Sequence, residues 1–273
     1  MKLLIFVSLI LYTTASIQPT IDRNPRIVGG SDGQIEEFPG LVAIIHLGYN
    51  MQWCAGTLIS EQWILSAAHC YIHPSNFTIE YSTSYLQETR PGAKHAAPEL
   101  FMQHENYNEN QLTFDVGLIK LLEPLNTGIH SPFSRLAMPG SYYQTGTLAT
   151  VAGWGVWDLL NYTMPHLQKA ELEIWHYRDC QEAHKYNPYE LKVHSHQICA
   201  GLPDWSKAEC NGDSGGPLYV HGVQVGIVSW SVKPCTVAEF PGVYTDVSFF
   251  IPWIQEKTGL EFQLQNFLIW KKN

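Results

Sequence analysis

Apolar residues in this chain come in short runs, and turn-forming residues interrupt nearly all of them. Residues 41–47, 57–66, 148–152, 224–230 and 243–247 are rich in Ile, Leu, Val and Trp, with Gly, Ser and pairs such as Pro139-Gly140 and Pro241-Gly242 between them. Runs this short suit strands, whereas a helix generally needs about ten residues or more to bury an apolar stripe. Helical spacing shows only over residues 177–184 and 247–258, and in the second Phe250, Trp253 and Ile254 fall on one face. Many short strands with turn signals predict an all-β barrel or sandwich. The 273 residues, 45% of them apolar, supply a full core for one domain or two packed subdomains. There is no repeat of fixed period and no low-complexity segment.

The N-terminus sets the chemistry expected of the cysteines. Met1-Lys2 is a short basic start, residues 3–11 are nearly all apolar, and Thr13, Thr14, Ala15 and Ser16 are small. This pattern predicts a secretory signal peptide over residues 1–16. The apolar run falls short of the roughly 18 residues a membrane span requires, so no transmembrane anchor is expected. In an exported chain the six cysteines, Cys54, Cys70, Cys180, Cys199, Cys210 and Cys235, read as disulfides whose pairing spacing alone leaves open. No CxxC pairs with a second ligand motif, so no structural zinc is expected. His194-Ser195-His196 alternates as a strand-borne metal clamp would, but it has no carboxylate or cysteine motif nearby and reads as surface histidines. The net charge of −9, with no Lys/Arg run beyond Lys271-Lys272, excludes a nucleic-acid footprint. No motif for an organic cofactor or a calcium loop is present.

Cys210-Asn211-Gly212-Asp213-Ser214-Gly215-Gly216-Pro217 places one hydroxyl in a glycine-rich turn where main-chain N–H groups can approach a reacting carbonyl. Ser214 is therefore a candidate nucleophile, with the turn's own N–H groups as oxyanion donors. A serine needs a base. His69 ends an apolar strand beside Cys70, and Asp115 lies within the apolar run Phe114-Asp115-Val116-Gly117-Leu118-Ile119. A buried carboxylate demands a partner, and the His69 Nδ1–H would serve, leaving Nε2 to accept the Ser214 proton. Gly212-x-Ser214-x-Gly216 also fits the nucleophile elbow of α/β-hydrolases, which run Ser, acid, His. Only His221 follows Ser214, no acid is suitably placed before it, and the chain lacks alternating strands and helices. The order His69, Asp115, Ser214 fits the chymotrypsin arrangement instead.

Taken together, Arg26-Ile27-Val28-Gly29-Gly30, Ala67-Ala68-His69-Cys70, Asp115-Val116-Gly117-Leu118, Gly153-Trp154-Gly155, Gly212-Asp213-Ser214-Gly215-Gly216-Pro217 and Ser229-Trp230 closely resemble the chymotrypsin/trypsin family of serine proteases. The resemblance runs from about Ile27 to about Glu261. It implies two packed six-stranded antiparallel β-barrels with a boundary near residue 139, a cleft between them and a C-terminal helix over about 248–258. It also implies the disulfides Cys54–Cys70, Cys180–Cys199 and Cys210–Cys235, oxyanion donors at Gly212 and Ser214, protein or peptide substrates, protease inhibitors as partners, and a monomer.

Activation follows from the same resemblance. A propeptide over residues 17–26 ends in Arg26, and an activating protease cutting there frees the Ile27 amine to turn inward and pair with Asp213. The protease domain then spans residues 27–261 and an extension follows over 262–273. The substrate pocket is framed by Ala208, Glu209, Ser229, Trp230, Ser231 and Gly242. Ala208 stands where trypsin-like members carry an aspartate, so the usual partner for Lys or Arg is missing. Glu209 either points away or stays protonated, leaving the pocket to apolar side chains, or points inward and accepts a basic or polar one. The uncharged floor favours the first. Ser231 replaces the usual glycine and narrows the entrance, while Gly242 keeps another part of the wall open. The alternative role is a catalytically silent homologue acting as a secreted binding or regulatory module. Asn76-Phe77-Thr78 and Asn161-Tyr162-Thr163 match the N-glycosylation pattern. Phe267, Leu268, Ile269 and Trp270 make the extension apolar, and docking on the barrel surface is its expected use.

Overall fold

The computed structural model describes residue 27 and residues 29–86, 94–125, 133–155, 166–235 and 239–262. The signal and propeptide segments, Arg26, Asn161 and the extension beyond Phe262 lie outside the described residues.

After β1 (Ser31–Asp32), the first half of the chain forms β2 (Leu41–His46), β3 (Met51–Leu58), β4 (Trp63–Ser66), β5 (Phe77–Tyr81), β6 (His95–Ala96), β7 (Pro98–Gln103) and β8 (Gly117–Leu121). Strands β2 to β8 make one antiparallel sheet in the order β6-β5-β2-β3-β4-β8-β7. Only Ala97 separates β6 from β7, so the two edges of the sheet are one bent segment and the sheet closes into a barrel. With β6 and β7 counted as one strand, six strands circle it. The expected run over residues 57–66 is not one strand. Its polar middle turns: Ser60 Oγ accepts the N–H groups of Gln62 and Trp63 at 3.3 and 3.1 Å, and β3 and β4 pair as a hairpin.

The second half adds β9 (Arg135–Leu136), β10 (Leu148–Gly153), β11 (Gln168–Ile174), β12 (Gln197–Gly201), β13 (Pro217–Val220), β14 (Val223–Trp230) and β15 (Gly242–Asp246). Strands β11-β10-β13-β14-β15-β12 follow one another, and β12 pairs back onto β11 through Glu173 and Gly201, closing a second six-stranded ring. Strands β1 and β9 attach to it at β11 and β14.

Helices are few, as the sequence leads one to expect. Helix α1 (Tyr177–Ala183) is short, and α2 (Val247–Thr258) follows β15 directly. The Asp246 carboxylate accepts the Ser248 N–H at 2.9 Å and caps α2, and Gly259 ends it at φ 71°. Although α2 emerges from the second barrel, its Val247, Phe250, Ile251, Trp253 and Ile254 pack into the core of the first, with Ile44, Ile64, Phe77 and Leu118. The helix thus straps the two halves together. The three disulfides are the implied ones: Cys54–Cys70, Cys180–Cys199 and Cys210–Cys235, with Cα–Cα distances of 6.0, 6.3 and 5.5 Å.

Candidate active site

Asp115 lies just before β8 with no exposed surface. Its carboxylate takes three hydrogen bonds. Oδ1 accepts the His69 backbone N–H at 2.9 Å, and Oδ2 accepts His69 Nδ1–H at 2.7 Å and the Ser229 hydroxyl at 2.6 Å. Thr245 Oγ1 donates to the Asp115 carbonyl at 2.7 Å and fixes the main chain from the second barrel. His69 sits in the tight turn Ala68–Cys70 that follows β4, braced by the bridge to Cys54. Its side chain keeps 22% of its surface exposed. Burial alone would lower the imidazole pKa. The Asp115 charge and hydrogen bond outweigh it, and the net direction is upward.

Ser214 is held in a turn that only glycine neighbours permit. Gly215 has φ +79°, and a Cβ there would run into Ser66 Oγ and the Ala55 carbonyl. The Ser214 carbonyl accepts the Ala55 N–H at 2.8 Å, and Gly215 N–H donates to Val228 O at 2.9 Å. Gly212, at φ +94°, is fixed through its carbonyl by Gln52 Nε2 at 2.9 Å. His69, Asp115 and Ser229 are therefore in direct contact. No hydrogen bond joins the Ser214 hydroxyl to the imidazole among the described contacts, as is common before substrate binds.

Asp213 is also fully buried. Its carboxylate accepts the N–H groups of Gly155 at 2.8 Å and Cys210 at 2.9 Å. Burial raises its pKa to about 6, with the two N–H bonds pulling the other way. The carboxylate fills the space above Gly153 and Gly155, so a Cβ at either glycine would overlap it. Ile27 is buried too, in the core of the second barrel.

Beside Ser214 lies a cavity of about 300 Å³, lined among others by Glu209, Ser229, Trp230, Ser231 and Lys233. Glu209 takes the inward of its two open placements. Its carboxylate accepts the Tyr244 hydroxyl at 2.7 Å and lies where a Cβ on Gly242 would stand. Gly242 therefore makes room for Glu209 instead of keeping the wall open, and neither it nor Ala208 lines the cavity. Lys233 is a pocket residue that the sequence reading missed. Its only signal was a cation two places before a cysteine bracing the pocket wall. Ser229 was seen as wall alone, and nothing in the sequence marked its bond to Asp115.

The histidines of His194-Ser195-His196 differ from the surface pair expected of them. His196 is buried, and its Nε2 accepts the Phe114 N–H at 3.1 Å, next to Asp115. Burial and the neighbouring His194 and His104 push its pKa down to about 4, so it packs as a neutral acceptor. The potential metal-binding group found among the described residues, Cys54, His69 and Cys70, has both sulfurs committed to a disulfide. Asn76 is exposed just before β5.

Two closed antiparallel barrels carrying His69, Asp115 and Ser214 define the class of chymotrypsin-like serine endopeptidases. The family model for Trypsin matches residues 27–254. Alpha- and beta-fibrinogenase stejnefibrase-1 of Trimeresurus stejnegeri is 35% identical over 231 residues, covering 84% of this chain and 86% of its own length. Snake venom serine protease serpentokallikrein-2 of Protobothrops mucrosquamatus is 32% identical over the same shares of each chain. Thrombin-like enzyme elegaxobin-2 of Protobothrops elegans is 32% identical and is covered over 94% of its length. The chain belongs to the trypsin family and is a serine endopeptidase. Protein substrates follow from that membership, and among the described residues no helix is long and apolar enough to cross a membrane.

Proposed function

We propose that this endopeptidase is secreted as a zymogen and cleaves peptide bonds through Ser214, His69 and Asp115. Ser214 Oγ attacks the scissile carbonyl carbon while His69 Nε2 takes its proton. The resulting oxyanion is held by the Gly212 and Ser214 N–H groups. The tetrahedral intermediate collapses, the C–N bond breaks, and His69 returns the proton to the leaving amine. Water then attacks the acyl-enzyme by the same route and frees Ser214. Asp115 holds Nδ1 protonated and stabilises the imidazolium that forms. The observation carrying this reading is the buried Asp115 carboxylate, with two hydrogen bonds from His69 and one from Ser229. An isolated buried charge would cost several kcal/mol, so the arrangement serves the imidazole or it is a liability.

Activation gives Asp213, which accepts two main-chain N–H groups in the uncleaved chain, a cationic partner. Cleavage after Arg26 by an activating protease frees the Ile27 amine, and its pairing with Asp213 orders the adjacent oxyanion turn. Asn76 is exposed and fits a glycosylation acceptor. Inhibitors that present a peptide loop to the cavity beside Ser214 are the expected natural partners. Labelling with a fluorophosphonate tests the reading. After cleavage at Arg26 the probe should attach to Ser214 and not to S214A, and Arg26→Gln should label at least 100-fold more slowly. Correctly cleaved protein that takes no label would overturn it.

A further inference from the structure

Lys233 is the feature of the cavity that the reaction does not use. It follows β14 on the Ser231–Cys235 stretch and is exposed as a residue, yet its ammonium turns onto the pocket wall. Nζ donates to Ser231 Oγ at 3.1 Å and contacts Cys235 Sγ at 3.2 Å. Its backbone N–H is held by the Tyr189 hydroxyl at 3.2 Å, and Tyr189 lines the same cavity. Glu209 lines the same cavity as Lys233 without forming an ion pair with it within 4 Å among the described residues, and the Glu209 and Asp213 carboxylates attract the ammonium through space. Asp213 has its two N–H donors, whereas Glu209 has Tyr244 and faces the cavity that a substrate side chain must enter.

We propose that Lys233 is a specificity-determining residue: a tethered cation that competes with the substrate for Glu209 and holds the pocket to uncharged side chains. This rests on the reading that Ser214 is the nucleophile and the adjoining cavity the site for the side chain preceding the scissile bond. A Lys or Arg entering the pocket meets a like charge at its wall, beside a carboxylate that already accepts the Tyr244 hydroxyl. The tether matters because an intramolecular competitor acts at an effective concentration in the millimolar range. Lys233 is also partly solvated, so it can swing out at moderate cost. The effect should therefore be a bias of about tenfold in specificity and not an absolute barrier. An uncharged side chain leaves the Glu209–Tyr244 bond and the Lys233 contacts in place and occupies the remaining volume.

The test compares peptide substrates that differ only in Phe, Leu, Arg, Lys or Glu before the scissile bond, on activated wild type, K233M and K233M/E209Q. Wild type should favour Phe or Leu. K233M should raise kcat/KM for Arg about tenfold, mostly through KM, and change Phe less than threefold. Adding E209Q should remove the gain. Benzamidine binding in the S214A background reads the pocket without turnover and should tighten about tenfold with K233M. Wild-type preference for Arg or for Glu would overturn the proposal, as would an Arg-to-Phe ratio unchanged in K233M. Fluorophosphonate labelling separates the two readings. Labelled enzyme with an unchanged ratio defeats only the role of Lys233, whereas unlabelled enzyme with tighter benzamidine binding defeats only the nucleophile.

Discussion

At Asp115 one buried carboxylate takes three donors, and the three do different work. The two from His69 fix the turn and the ring, while the Ser229 bond draws charge away from the oxygen facing the imidazole. With His69 as the proposed base, catalysis needs it neutral, so the acidic limb of kcat/KM should mark its pKa. That pKa lies above the ordinary 6.5, and activity should rise with pH only as the raised value is passed. Asp115→Asn should lower kcat/KM on the order of 10⁴-fold, because the amide no longer holds Nδ1 protonated, and should move the limb to lower pH. Ser229→Ala should do the reverse to the limb. Less charge is drawn from Asp115, the imidazolium is better stabilised, and the limb moves up. Losing a hydrogen bond to a charged group should also cost roughly 1.5–3 kcal/mol of stability, read by urea denaturation. The proposed triad stands out in the sequence because each member sits in an unusual setting: a carboxylate in an apolar run, a histidine beside a cysteine, a serine among glycines. Ser229 and Lys233 do not, because an ordinary wall serine and a surface lysine have the same local sequence whatever their side chains reach.

At the scale of elements, legibility followed burial pattern. Strands dense in apolar residues, β2, β10 and β14, were found within a residue or so of their ends. Strand β11 was missed although Gln168, Ala170, Leu172 and Ile174 alternate with solvent-facing residues, because two of its four inward positions are polar or small. Strand β5 hides in the same way, with Glu80 buried within it. No local pattern closes the first barrel at Ala97, since closure depends on pairings distant in sequence. Helix α2 was found by its face, but not its destination in the opposite barrel. Phe250, 1% exposed, is the centre of that contact and touches the ring of Phe114 beside Asp115. Phe250→Ala should therefore destabilise by about 3–5 kcal/mol, measured by chemical denaturation. Activity lost with it should return at lower temperature, since the variant removes a strap and no catalytic group.

Across the whole molecule, hydrogen bonds from the first barrel hold the Ser214 turn and strand β14 of the second. Ala55 bonds to Ser214, Gln52 to Gly212, and Thr57 Oγ1 to Gln224 at 2.8 Å. In Asp213 burial outweighs the two N–H bonds, and the pKa of this fully buried acid is raised to about 6 while residue 26 is still attached. The sign of its effect on stability follows from proton binding. Unfolded, the group gives up its proton near 3.8; folded, it keeps it to about 6, so between those values the folded chain binds more protons. The uncleaved protein should therefore lose stability as pH rises from about 4 to about 6, by an amount on the order of 3 kcal/mol for two pK units. Arg26→Gln, which keeps the chain intact, should show this loss relative to Arg26→Gln/Asp213→Asn when urea unfolding is followed at pH 4 and pH 7. Under the proposed activation, cleavage should reverse the sign. An Ile27 ammonium placed beside Asp213 would favour the anion and lower its pKa, so stability should be gained where the intact chain loses it. An activated enzyme with the same downward slope as the uncleaved chain would show that Asp213 does not receive the new N-terminus.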